Sequence, residues 1–138
     1  MKLKSIFLLT FLLLNCFGTK GQTKINSELL IGTWKFVRFI WPNFVPENAK
    51  IINESNNTFK DATYQFTKDK RLIIIHPNDK IKNNSNLTYV IKANNIYVSP
   101  LTNLKGEQLI IEVDILDKKT LQIYVRGFDP VGIFKRVK

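Results

Sequence analysis

A chain of 138 residues has room for one ordinary domain, which excludes a second catalytic module beside a binding one. Its 21 lysines and arginines against 11 acids give a formal charge of +10, a balance that favours anionic partners. The cations nevertheless fall in separate short groups (Lys68, Lys70 and Arg71; Lys118 and Lys119; Lys135, Arg136 and Lys138) rather than in one stripe, and a single cysteine and a single histidine leave no disulfide and no donor set for a transition metal.

Lys2 and Lys4 precede an apolar run from Ile6 to Phe17, followed by small and polar residues, which is the layout of a secretory signal peptide. The run is shorter than the roughly 20 residues a helix needs to cross a hydrocarbon core. Thr19 and Gly21 are small residues at the two positions a signal peptidase reads, so the expected cut follows Gly21 and leaves one domain at 22–138. The alternative is a lipoprotein anchored through Cys16, because Leu13-Leu14-Asn15-Cys16 has the form of a lipoprotein processing site. Either route predicts an exported protein, periplasmic or secreted, with no transmembrane segment in its mature part and no nucleic acid as partner. Without Lys2, Lys4 and Lys20 the remainder keeps 18 basic residues against 11 acids, a balance of +7.

Asn26-Ser27-Glu28 joined to Leu29-Leu30-Ile31 sets capping residues before apolar ones, which predicts one or two helical turns closing an end of the fold. Gly32 then releases the chain into Thr33–Trp41, rich in β-branched and aromatic residues and stopped by Pro42. From Pro42 to Asp61, prolines, asparagines and mixed polarity break any sustained period, with a helical turn expected only at Ala49–Ile52. So long a connection is unusual in a compact β domain and marks a functional or mobile segment.

Seven further strands are predicted at Ala62–Thr67, Arg71–Ile75, Leu87–Lys92, Ile96–Ser99, Glu107–Leu116, Thr120–Arg126 and Val131–Lys138. Tight turns fall at Lys68-Asp69-Lys70, Ala93-Asn94-Asn95 and Asp117-Lys118-Lys119, where asparagine tolerates the positive φ required. Alternation places Tyr64, Phe66, Leu72, Ile74, Leu87, Tyr89, Ile91, Leu109, Ile111, Val113, Ile115, Leu121, Ile123 and Val125 on one face and Thr63, Gln65, Glu112, Asp114 and Gln122 on the other. Eight consecutive antiparallel strands with one apolar face predict an all-β, up-and-down barrel, which has no exposed edge; a two-sheet sandwich is the alternative.

Catalytic chemistry has little to stand on. His76 ends a strand just before Pro77, Glu112 and Asp114 alternate with apolar residues as a solvated face does, and there is no glycine-rich phosphate loop. Neither an enzyme nor a cofactor is expected. An eight-stranded barrel is either filled by its own side chains or wide enough for one small ligand. The hollow alternative predicts a hydrophobic or amphipathic ligand in a cavity under the Pro42–Asp61 connection, lined by Phe36, Tyr64, Phe66 and Tyr89. Arg38, which has the parity of Trp34 and Phe36, would then meet an acidic head group. The filled alternative predicts a protein-interaction or inhibitor module of the cell envelope acting through its loops and the outer apolar positions Ile73, Ile75, Val90, Tyr97 and Phe134.

Gly32-Thr33-Trp34 at the head of the first strand, after a helical turn, resembles the Gly-x-Trp motif that opens lipocalins, and Phe134-Lys135-Arg136-Val137 resembles their last barrel strand. Together with strand count and length, these residues resemble the lipocalin-like domains of exported Bacteroidetes proteins over Leu29–Lys138. The resemblance implies an indole plugging one barrel end with Arg136, rather than Lys135, across its face.

Overall fold

The computed structural model describes residues 24–77, 83–101 and 108–138, so the expected signal segment, Cys16 and Glu107 lie outside the described residues. Helix α1 (Ser27–Leu30) starts where Asn26 Oδ1 accepts from the backbone N–H groups of Glu28 and Leu29 at 3.0 and 3.4 Å. Eight strands follow: β1 (Gly32–Ile40), β2 (Thr63–Phe66), β3 (Arg71–Ile75), β4 (Asn84–Lys92), β5 (Asn95–Pro100), β6 (Leu109–Leu116), β7 (Thr120–Val125) and β8 (Val131–Arg136). Each pairs antiparallel with the next, and β8 returns to pair with β1, so the sheet closes as an up-and-down barrel and the sandwich alternative falls away. No helix among the described residues is long and apolar enough to cross a membrane.

One element is longer than its sequence signals. The β1–β2 connection holds α2 (Lys50–Phe59), a ten-residue helix where only a turn at Ala49–Ile52 was expected. Ala49 offers no side-chain cap, no acid occupies the first turn, and the run is rich in asparagine and β-branched residues, so intrinsic propensity argues against it. Tertiary contacts supply what propensity lacks: Asn56 Oδ1 accepts from Phe39 N–H at 2.8 Å, and Phe59 packs on Phe36 and Phe39 with ring centroids 5.8 and 5.1 Å away.

Three bulges break strict alternation. Register shifts occur between Phe36 and Arg38, between Leu72 and Ile74, and between Val113 and Ile115. An extra residue re-aims every side chain beyond it. Arg38 is therefore exposed on the outside and Phe39 takes the inward course, while Ile115 faces out, 45% exposed, and Leu116 packs against the core in its place. Phe134, expected outside, is 2% exposed inside the barrel because it pairs with inward Phe36. The β4–β5 turn also departs from expectation: Ala93, not an asparagine, adopts φ +52, and Asn94 instead clasps β6, exchanging hydrogen bonds with Val113 at 3.1 Å in both directions.

One end of the barrel is closed by a single constellation. Trp34 is fully buried and its Nε1 donates to Leu30 O at 2.8 Å. Arg136 lies 4.3 Å above the indole and donates to three carbonyls: Ile31 at 2.9 Å, Lys118 at 3.1 Å, and Leu29. Two of those carbonyls belong to the end of α1, whose last turn has no partners of its own. Gly32 sits at φ +139, where an added Cβ would lie 2.5 Å from Arg136 Nη1, so backbone conformation and space both demand glycine.

Trp34→Ala should cost about 3 to 5 kcal/mol, and Gly32→Ala, by displacing Arg136, about 2 kcal/mol. Urea denaturation of each variant checks both values.

Candidate functional site

The two halves of the barrel interior differ. Toward the end closed by Trp34, Leu30, Phe66, Leu72, Tyr89, Ile96, Ile111 and Leu121 are each less than 2% exposed and fill the interior. Tyr89 belongs to this packing: its ring meets Phe66 edge-on at 5.3 Å and its hydroxyl donates to Thr67 O at 2.9 Å. Burial raises the Tyr89 pKa, and the nearby Asp69 charge adds to the effect.

At the opposite end, where the β1–β2 crossover lies, the interior is hollow. A cavity of about 220 Å³ is lined by Phe39, Phe59, Tyr64, Leu109, Ile123, Val125, Phe128, Pro130, Gly132 and Phe134. Sequence and fold create it in three steps. Gly132, paired with Phe39 on β1 and Ile123 on β7, yields its inward position to the Phe134 ring, which an added Cβ would meet at 2.9 Å. The β1 bulge then delivers Phe39 into the interior. Finally, α2 lowers Phe59 over the opening. Leu109 and Phe128, 41% and 43% exposed, stand at the mouth.

The lining is apolar and aromatic. Tyr64 packs on Phe134 at 4.8 Å, and Phe134 on Phe36 at 5.6 Å. The Tyr64 hydroxyl is the polar handle: burial pushes its pKa up to about 12, so at neutral pH it is an uncharged donor. His76 stands behind Phe59 with ring centroids 5.2 Å apart, its pKa lowered by burial, and its Nδ1 is buried with no partner among the described residues.

Of the residues singled out from the sequence, Tyr64 lines the cavity and Phe36, 4% exposed, forms the packed layer beneath it. Phe66 and Tyr89 do not reach it; they belong to the filled half, because a barrel wall is long enough for inward residues to serve different ends. Arg38 is turned away by the bulge and borders a wide outer depression with Trp41, Glu47 and Asn56. The residues that sequence reasoning missed are Phe39, Phe59, Phe128, Gly132 and Phe134. Only Gly132, an isolated glycine in a strand, carried a signal of close approach.

The acidic pair is occupied elsewhere. Glu112 binds Arg126 at 2.7 Å, and Asp114 accepts from Gln122 at 3.5 Å. Among the described residues no group of three His, Cys, Asp or Glu side chains could hold a metal ion. No family model, curated protein or solved structure matches the chain.

An unfolded tyrosine ionises near 10, whereas folded Tyr64 does so near 12, so the native state holds this proton more tightly between those values. Stability from this group is complete below pH 10 and is lost as pH rises toward 12. Tyr64→Phe should abolish on the order of 2 kcal/mol of that alkaline loss, measured by denaturation of both proteins at matched pH values.

Proposed function

We propose that the open half of the barrel binds one small apolar molecule, and that the chain is an exported, lipocalin-like binding protein rather than an enzyme. The observation that carries this reading is the asymmetry of the interior, solid around Trp34 and hollow beneath Phe59. Export rests on the Lys2–Gly21 layout, and the lipocalin-like assignment on Gly32, Trp34 and Arg136 acting together at the closed end.

Size limits the ligand. An apolar cavity of 150 Å³ holds benzene, and drug-sized ligands occupy about 300 to 1,000 Å³. At about 220 Å³, the site fits a single aromatic ring or a short branched chain, and not an extended acyl chain enclosed along its whole length. Aromatic walls favour a ring through offset and edge-on contacts, and Tyr64 can donate to one hydroxyl or carbonyl oxygen. With Arg38 outside, none of the described residues that line the cavity is a cation for an acidic head group.

The alternative of a filled barrel acting through its outer surface has less support. Phe134 is interior, Ile73 and Tyr97 are half-buried, and the exposed Ile75 and Val90 lie toward opposite ends of β3 and β4. Isolated exposed apolar side chains are ordinary on a soluble surface.

Native mass spectrometry of the protein from its own host should release a small neutral ring compound or short apolar molecule, and calorimetry should show that phenol-sized compounds bind. Val125→Phe, which fills the cavity from its wall, should weaken that binding at least about tenfold with little change in stability. An empty protein that binds no such compound would transfer support to the interaction module.

A further inference from the structure

The cationic groups that look scattered along the chain meet at one end of the barrel. The β6–β7 turn carries Lys118 and Lys119, β8 and the residues after it carry Lys135 and Lys138, and the β2–β3 turn at the same end carries Lys68 and Lys70. Thr120 pairs with Lys135, and Arg136 N–H donates to Lys119 O at 2.9 Å, so the β6–β7 turn and the last strand are held side by side. Together Lys118, Lys119, Lys135, Arg136 and Lys138 line one shallow depression.

Its charge is only partly offset locally. The four lysines are exposed, and none forms an ion pair among the described residues. The nearest acid in sequence, Asp117, accepts at Oδ1 from the N–H groups of Lys119 and Thr120 at 2.6 and 2.7 Å; these bonds and the Lys119 charge keep it ionised, so it offsets one of the depression's five cations. Arg136 is also committed, to the α1 carbonyls and Trp34. Val137, 45% exposed, stands between Lys135 and Lys138.

From this geometry we infer that the closed end docks on an anionic phospholipid surface. Lysines are flexible, strongly hydrated point charges suited to a diffuse negative field, whereas discrete bidentate recognition of phosphate calls for free arginines. An apolar side chain amid the lysines fits an interface with a hydrocarbon side. Docked in this way, the barrel faces its cavity mouth away from the membrane.

The test is cosedimentation of the protein, purified as its host processes it, with vesicles of phosphatidylcholine alone or mixed equally with phosphatidylglycerol. Binding should be confined to the mixed vesicles and be released by high salt. The double variant Lys118→Gln/Lys119→Gln should bind them roughly 30-fold more weakly while keeping the wild-type melting temperature. Val137→Ser should weaken binding with the salt dependence retained. Equal binding to both vesicle types, undiminished binding of the double variant, or retention on heparin or polyphosphate without vesicle binding would each overturn the proposal.

Discussion

The contact between Arg136 and Trp34 organises this barrel. An eight-stranded meander with a packed half must be sealed at that end, and its first and last strands must find one another across nearly the whole sequence. Arg136 meets both needs. It stacks on the indole from β8 while its donors hold the carbonyls that end α1 and the carbonyl of Lys118 in the β6–β7 turn. A cation over a desolvated indole is worth on the order of 1 to 2 kcal/mol, and charge-assisted hydrogen bonds to otherwise unpaired carbonyls add to it. Gly32 is the steric consequence, since the guanidinium occupies the space a Cβ would take.

With one end sealed and solid, the other is free to stay open. The hollow does not come from a shortage of aromatic residues, for five of them line it. Its walls are set by Gly132, which makes room for the Phe134 ring where a Cβ would meet it at 2.9 Å, and by the β1 bulge, which spends an inward position on Phe39 and sends Arg38 outside. Helix α2 covers the opening while burying none of its own residues fully, and it is held through Asn56 and Phe59. An element so lightly attached belongs to the least stable part of a fold, which is where an entry route is expected.

Much of the architecture was legible because a strand's period is short and local. Strand order, the places of the tight turns and the helix before Gly32 follow from residues that act where they stand, whereas the Trp34–Arg136 contact was implied by the resemblance to lipocalins. The site was less legible, and for one physical reason: a bulge is invisible to parity. Arg38 and Phe39 exchange faces because of one inserted residue, as do Ile115 and Leu116. Parity also cannot say which end of a barrel an inward residue serves, so Phe66 and Tyr89 were grouped with Tyr64. Helix α2 was hidden for a different reason, since its stability lies in contacts to β1 that propensity does not record.

The barrel is solid at the Trp34 end and hollow at the Phe59 end. Xenon pressurisation of a crystal tests it most directly, because xenon enters apolar space and needs no knowledge of the natural ligand. The account predicts one dominant xenon site among Phe59, Tyr64, Ile123 and Phe134 and none beside Phe66 and Tyr89. A barrel that takes up no xenon between Tyr64 and Phe134, or takes it up in the Trp34 half, would contradict it.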